Sequence, residues 1–288
     1  LDTSTGKTKW VYTTDGPIRV APMYSNSRLY FGSDDGHAYC LRAVDGELIW
    51  KSAAPAKSPL ILNNGRFISQ WPCRTGVVVR DGVAWFGLSL LPWKPSYVCA
   101  VDAKTGKADD PGRFVKTVSG ATFEAAWASL GEILIAPQGR VAPSRIRVTD
   151  GQSLGGFEGG GGSFVASTPQ QQLVHGPGNR TGWLTVSNVT TGKKTATHQR
   201  FISAAITADR RYFISETRLA AFDAKTGRAL WEVPVQGGRS VIAAGAHVFV
   251  GARDRVVAVT SEDGKRVWST SLGGAVESMA VADGALFA

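Results

Sequence analysis

The sequence predicts an all-β fold, a β-propeller of four-stranded antiparallel blades, and three observations carry this prediction. The 288 residues include 34 Gly and 13 Pro, which favour tight turns over long helices. A turn motif with a central Thr-Gly or Asp-Gly recurs along the whole chain. Short apolar stretches flank the turns, as in strands joined by hairpins. The 43% hydrophobic content and the three Cys exclude intrinsic disorder and a small disulfide scaffold.

The recurring turn carries a glycine at seven positions, spaced by 40, 60, 45, 41, 35 and 37 residues. These glycines are Gly6, Gly46, Gly106, Gly151, Gly192, Gly227 and Gly264. A tryptophan follows its glycine by four positions in four copies, at Trp10, Trp50, Trp231 and Trp268. The three middle copies carry Asp110, Gly155 and Ala196 in that place, so the middle of the repeat array is degenerate.

The residues around Gly46 show what one repeat forms. Ile18 to Tyr24, Arg28 to Gly32, His37 to Leu41 and Glu47 to Trp50 predict four short strands joined by hairpins. Stacking such sheets in a row leaves apolar faces bare, whereas a closed ring buries every face between neighbours. We therefore predict seven blades.

The long 60-residue interval contains two further strand candidates, Leu60 to Ser69 and Val77 to Phe86, and holds either an insertion or an eighth blade. At the ends of the chain, residues 1–12 supply an outer strand and residues 269–288 supply inner strands, so the two ends are predicted to close the ring in one blade. Residues 1–288 form a single propeller domain in this interpretation, and we expect it to be a fragment of a larger chain.

The repeated residues resemble the pyrroloquinoline-quinone-like (PQQ-like) repeat, whose consensus is Tyr-Ala-Leu-Asp-Ala-x-Thr-Gly-x-x-x-Trp. Ala220 to Trp231 follows it closely, and Val98 to Lys107 follows it without the Trp. The resemblance covers essentially the whole chain and places it in the quinoprotein alcohol dehydrogenase-like superfamily. It implies that Trp10, Trp50, Trp231 and Trp268 dock between blades. Trp71 to Val77 with Val174 to Gly178 is similar to an uncharacterised, secreted planctomycete-type branch.

The resemblance also raises the question of a quinone cofactor. Quinoprotein dehydrogenases hold pyrroloquinoline quinone (PQQ) with a calcium ion and use an Asp as base. Members of that type commonly carry two adjacent cysteines beside the quinone, whereas Cys40, Cys73 and Cys99 are isolated here. We therefore predict no cofactor, keep PQQ with calcium as the alternative, and expect the three thiols to be reduced and buried.

The histidines and the net charge indicate few further functional residues. The four His are far apart and no Cys-x-x-Cys occurs, so we predict no metal site. His175 has a loop-like setting before Gly176 and Pro177 and is a candidate ligand contact. The net charge of +9 is distributed around the repeated turns, which argues against a nucleic-acid face. The longest apolar stretch, Val83 to Trp93, is too short to span a membrane.

Two segments of the 60-residue interval pair tryptophan with a cation. Gln70 to Arg74 and Leu90 to Pro95 place Trp71, Arg74 and Trp93 in loops, and these residue types dominate binding hot spots. With His175 they make up the candidate ligand or partner surface; the competing interpretation is a hydrophobic plug over a blade.

These observations favour binding over catalysis. We predict a non-catalytic binding or scaffolding propeller, a monomer, in an exported bacterial protein of the periplasm or the extracellular space, with an unknown protein or other domains of the parent chain as partner. The alternatives are a PQQ-dependent oxidoreductase that uses the central funnel and a structural spacer.

Overall fold

A computed structural model describes residues 1–2, 4–168, 170–177 and 182–288. The described part of the chain contains 28 strands and no helix. The strands form six four-stranded and two two-stranded antiparallel sheets, and within each sheet consecutive strands are neighbours. The predicted all-β propeller of four-stranded antiparallel blades is confirmed.

The chain divides into two compact units. The first comprises Leu1–Gly139 and Pro143–Gly156, and the second comprises Arg140–Ala142 and Phe157–Ala288. Strands β1 to β14 are Met23–Ser25, Arg28–Gly32, Ala38–Arg42, Leu48–Ser52, Leu60–Asn63, Arg66–Ser69, Val78–Arg80, Val83–Leu88, Ser96–Asp102, Phe114–Val118, Ala128–Leu130, Ile133–Gln138, Val141–Arg147 and Ser153–Gly156.

Strands β15 to β28 are Phe164–Ser167, Gln172–Gly176, Leu184–Asn188, Lys194–His198, Ser203–Ile206, Arg210–Ile214, Arg218–Asp223, Ala229–Pro234, Ser240–Ala244, His247–Gly251, Arg255–Thr260, Arg266–Ser271, Ala280–Ala282 and Ala285–Phe287. The two-stranded sheets are β5–β6 and β27–β28.

Apolar side chains are buried between neighbouring sheets. In the first unit, one core cluster joins Tyr30 and Trp50 of β1–β4 to Phe86 of β7–β10, and a second joins that sheet to β11–β14 through Leu134. In the second unit, comparable clusters join the sheets from β15 to β26. The middle sheet of each unit, β7–β10 and β19–β22, therefore packs against a neighbouring sheet on both faces, as the repeat length predicts.

The 60-residue interval contains an insertion. Sheets β1–β4 and β7–β10 pack directly on each other, because the Trp50 ring of the first lies over Gly106 of the second. The strand candidate Leu60 to Ser69 forms the β5–β6 hairpin between them in sequence, and Val77 to Phe86 forms β7 and β8. The hairpin pairs with no third strand among the described residues.

The start of the chain is less regular than expected. The strand expected over Ile18 to Tyr24 is limited to Met23–Ser25, and residues 1–12 form a turn but no strand within their described part. The Asp2 carboxylate still accepts hydrogen bonds from the amides of Ser4 and Thr5, as in the other copies of the turn. Closure of the ring through both chain ends stays a prediction.

The expectation for the cysteines is confirmed. Cys40, Cys73 and Cys99 are free thiols and all are buried. Cys40 and Cys99 lie on β3 and β9, the third strands of two different sheets. Burial raises the pKa of Cys73 to about 12 and also raises that of Cys99, so both remain thiols at neutral pH.

Candidate functional site

The sheets of the first unit have two ends of different character. In an antiparallel sheet whose strands follow in sequence, the turn between strands two and three lies at the same end as the connection to the next sheet. We call this the loop end: it comprises the β2–β3 turn, the β5–β6 hairpin, loop 89–95 and the segments that precede β1, β7 and β11. We call the opposite end, with the recurring glycine turns at Gly46, Gly106 and Gly151, the turn end.

Tryptophans hold the turn end together. A Cβ added to Gly46 would meet the Trp10 ring at 2.5 Å, and one added to Gly106 would meet the Trp50 ring at 2.7 Å. Each indole N–H donates to a backbone carbonyl of the neighbouring turn, at 3.1 Å to Ala43 and 3.1 Å to Ala103. These rings therefore pack on glycine because no larger residue leaves room for them.

Three further aromatic rings differ in whether they pack on a turn glycine. In the second unit Trp231 lies over Gly264 and donates to the Ser261 carbonyl. In the degenerate copy, Phe114 covers Gly151. Trp268 lies on β26 beside Phe249 and is 39% exposed.

An ion cluster links the segments of the loop end. The Asp34 carboxylate, in the β2–β3 turn, is completely buried and accepts hydrogen bonds from two arginines. Arg19 approaches it to 2.7 Å and Arg74 to 3.0 Å. Its hydrogen bond to Asp34 raises the pKa of Arg19. This shared carboxylate fixes both guanidinium groups in place.

The two arginines line a cleft of about 270 Å³ together with Val20, Glu124 and Ala125. Arg19, Arg74 and Glu124 each lie four residues before the first strand of their sheet, at β1, β7 and β11. Of these, only Arg74 was predicted from the sequence. The equivalence of the three positions becomes visible once the strand starts are known, which is why Arg19 and Glu124 were missed.

The β5–β6 hairpin presents an apolar face to solvent. Leu60, Leu62 and Phe67 are 65%, 68% and 69% exposed, and Leu62 pairs directly with Phe67 across the two strands. The opposite face carries Ile61 and Ile68, of which Ile68 is buried. Sequence alternation identified the strands but not which side of them is exposed.

Trp71 and Trp93 also lie at the loop end but in different environments. The Trp71 indole N–H donates to the Pro95 carbonyl at 2.6 Å, and its ring packs edge-on against Tyr97. Trp93, in loop 89–95, is 75% exposed. A hydrogen bond from the Ser89 amide to the Pro72 carbonyl joins this loop to the segment that carries Trp71 and Arg74.

The candidate His175 requires a correction. It lies within strand β16 of the second unit, not in a loop, and is completely buried. Its ring nitrogens contact the Gly161 carbonyl at 2.8 Å and the Ser187 hydroxyl at 3.3 Å. Burial lowers the pKa of His175, which favours the neutral ring. Because the ring has no contact with solvent, His175 does not belong to a ligand or partner surface.

The two aspartates of the β2–β3 turn are already engaged by other side chains, so neither carboxylate is free to hold a calcium ion. Calcium takes six to eight oxygen ligands. At the loop end, the Asp34 carboxylate is engaged by two arginines, and the Asp35 carboxylate accepts from His37 and Tyr39. Over the described ranges, no group of three or more His, Cys, Asp or Glu side chains is arranged to hold a metal ion. No described helix has the length and apolarity needed to cross a membrane.

Comparisons with known proteins agree with this fold. The family described as outer membrane protein assembly factor BamB matches residues 1–112 and 215–288, more than half of the chain. The dehydrogenase subunit of an alcohol dehydrogenase (quinone) from Gluconobacter oxydans is 30% identical over 123 residues, which cover 38% of this chain and 16% of that protein. The chain thus matches about a sixth of that relative's length.

Two solved structures are similar in fold. BamB from Moraxella catarrhalis superposes with a TM-score of 0.63 at 14% identity, covering 88% of this chain and 76% of that one. A europium-containing methanol dehydrogenase superposes with a TM-score of 0.60 at 14% identity, covering 89% of this chain and 69% of that one. At this identity the similarity establishes the propeller fold and nothing about chemistry.

Proposed function

We propose that this chain, which belongs to the family described as outer membrane protein assembly factor BamB, is a non-catalytic binding or scaffolding propeller that contacts a partner protein through the loop end of its first unit. The single observation that carries the proposal is the exposed apolar face of the β5–β6 hairpin, formed by Leu60, Leu62 and Phe67.

The apolar face of the hairpin gains free energy when a partner covers it. Complete burial of one Leu or Phe side chain is worth about 1.5–3 kcal/mol, so three such side chains represent a substantial part of a binding energy. Trp93 adds an exposed aromatic side chain at the same end, and aromatic residues are enriched in interface hot spots. Arg74 is held in position by Asp34 and offers a preorganised polar contact at the same end of the unit.

We also propose an exported, periplasmic or extracellular location. The description of the matched family names outer-membrane protein assembly. Both the location and the partner class are inferences from this kinship.

The test is site-specific photo-crosslinking in the native host. A photoreactive amino acid at position 62 is expected to give a discrete adduct with one partner, identified by mass spectrometry. The matched control carries the same amino acid at position 44, because Val44 is 76% exposed but lies in the Gly46 turn at the opposite end. Equal labelling from both positions, or no adduct from position 62, would contradict the proposal.

The second candidate function is a PQQ-dependent oxidoreductase, favoured by the 30% identity to the quinone dehydrogenase subunit. Titration of the pure protein with PQQ and calcium, followed by tryptophan fluorescence and melting temperature, separates the two functions. We expect no saturable change. A saturable change with a rise in melting temperature would favour the oxidoreductase.

A further inference from the structure

We infer that strand β5 is an open docking edge, and that it accepts an extended, acidic and apolar segment of a partner protein as an added third strand. The inference rests on the proposed function, since it specifies how the partner binds at the loop end. The backbone N–H and C=O groups of the hairpin are the groups that would bind the added strand.

The direction of the β5 backbone groups follows from the register. Residue pairs in an antiparallel hairpin alternate between hydrogen-bonded and non-hydrogen-bonded. Asn63 and Arg66 flank a two-residue Asn-Gly turn with positive φ at both positions, and Gln70 donates its amide to the Pro59 carbonyl. On the β5 side, the residues whose backbone groups bond to β6 are therefore Pro59, Ile61 and Asn63. The N–H and C=O groups of Leu60 and Leu62, which alternate with them, point away from β6.

The other edge of the hairpin is already engaged. The Ser69 amide of β6 donates to the Asp34 carbonyl at 3.0 Å. Arg66 and Phe67 of β6 face Thr14 to Pro17 across a cleft of about 460 Å³. Among the described residues, no backbone hydrogen bond joins Leu60 or Leu62 to a segment outside the hairpin. The β6 edge is therefore tied down at Ser69, whereas Leu60 and Leu62 leave the β5 edge open to a third strand.

The β5 edge also lacks the usual protection against pairing. Proteins commonly place charged side chains on exposed edge strands to prevent association. The outer strands β4 and β10 follow this rule with Lys51 and Lys116, whereas Leu60–Asn63 carries no charge. An added strand would lay alternate side chains against Leu60 and Leu62, which share one face.

The charge of the segment that carries the hairpin indicates the partner's composition. No acidic residue occurs between Glu47 and Asp81, whereas five Lys and Arg residues do. Lys57 and Arg66, on either side of β5, are exposed, and no salt bridge involves either of them within the described ranges. A segment with acidic residues between apolar ones complements both the charge and the apolar face.

The experiment uses defined peptides with the whole chain. The probe is a ten-residue peptide of alternating Val and Glu with blocked ends. Its comparison peptides are the Val and Lys analogue and the Val and Glu peptide with N-methylated backbone amides, which keeps the side chains but removes the donors. We expect saturable binding of the first peptide and at least tenfold weaker binding of the other two. Slower hydrogen exchange is expected at the amides of Leu60 and Leu62.

A protein variant tests the charge requirement separately. The double variant Lys57→Glu, Arg66→Glu changes exposed side chains only, and we expect it to reverse the preference in favour of the Val and Lys peptide. Equal binding of the N-methylated peptide would overturn strand addition. Failure of all peptides to bind, together with a specific crosslink from position 62, would also overturn it while leaving the proposed function in place. Absence of both would count against the proposed function itself.

Discussion

The turn end and the loop end of the first unit place similar apolar residues in different environments. They are packed between sheets at the turn end and exposed to solvent at the loop end. At the turn end, Trp10 and Trp50 are packed on glycines of the neighbouring sheet and donate to its carbonyls. At the loop end, Trp93, Leu62 and Phe67 are more than two-thirds exposed. The same residue classes therefore pack neighbouring sheets together at one end of the first unit and remain available for binding at the other.

The difference shows that the role of an apolar side chain depends on whether a neighbouring segment covers it. The glycine turns recur in the sequence, and Trp10, Trp50 and Trp231 each pack on a turn glycine of the next sheet. The hairpin is inserted once, and no second copy covers its outer face in the part of the chain that the structure describes. Removing a turn-end tryptophan is therefore expected to lower stability, and removing the exposed apolar side chains of the loop end is expected to weaken binding.

The largest effect is expected from Trp50→Ala. Removing this buried ring leaves a cavity between two sheets and exposes the Ala103 carbonyl, so the free energy of unfolding should fall by about 3–5 kcal/mol. The control, Trp93→Ala, removes an equally large ring that is 75% exposed and should change it by less than about 0.5 kcal/mol. Urea unfolding measures both. Similar losses would show that the two ends do not differ in packing.

The next effect concerns the ion cluster of the loop end. Asp34→Asn leaves Arg19 and Arg74 without their shared charge, and we expect a loss of about 3 kcal/mol, the low end for a buried pair because Arg19 is half exposed. Asp81→Asn is the matched control, since Asp81 pairs with Arg80 in solvent. Thermal melting of the two variants compares them. An unchanged melting temperature for Asp34→Asn would mean that the cluster does not stabilise the loop end.

Two glycines in the same turn position separate backbone strain from ring packing. Gly106→Ala and Gly227→Ala both place a side chain at positive φ, near +72° and +74°, which costs about 1–2 kcal/mol. At Gly106 the new Cβ also meets Trp50, whereas at Gly227 nothing lies within 4 Å. We expect Gly106→Ala to be the more destabilising by about 1–3 kcal/mol in urea unfolding. Equal losses in the free energy of unfolding would argue that contact with the Trp50 ring is not what requires glycine at position 106.

The smallest effect is a pH dependence in the second unit. Burial lowers the pKa of His175, so below the ordinary His pKa of about 6.5 the unfolded state binds more protons than the folded state. The free energy of unfolding should therefore fall between pH 7.5 and pH 5.5. His175→Gln should reduce this fall, and His198, whose pKa burial also lowers, should account for part of the remainder. An identical pH profile in the variant would contradict the assignment.

Local signals made much of the fold predictable. The Asp-x-x-x-Gly turns, the Asn-Gly hairpin and the alternating strands are set by residues close in sequence, and the structure contains them. Some features were not predictable because they depend on distant residues. Phe114 takes the place of a tryptophan eight residues after Gly106, instead of four. His175 precedes Gly-Pro, a loop signal, yet strand β16 continues through Gly176.

The candidate site was predictable only in part. Arg74, Trp71 and Trp93 do lie at one end of the first unit, as their shared 60-residue interval suggested. The exposed face of the hairpin was not predictable, because Leu-Ile-Leu reads equally well as a buried strand. The two interpretations, a binding surface and a plug, differ in whether something packs on that face.

The most direct test of that difference is the double variant Leu62→Asp, Phe67→Asp, measured for both unfolding and crosslinking. If the hairpin face is a binding surface, the free energy of unfolding should stay within about 1 kcal/mol of the native protein. A crosslink from a photoreactive residue at position 60 should then be lost. A loss of more than about 3 kcal/mol would show that the two side chains are packed as a plug, and would contradict the account.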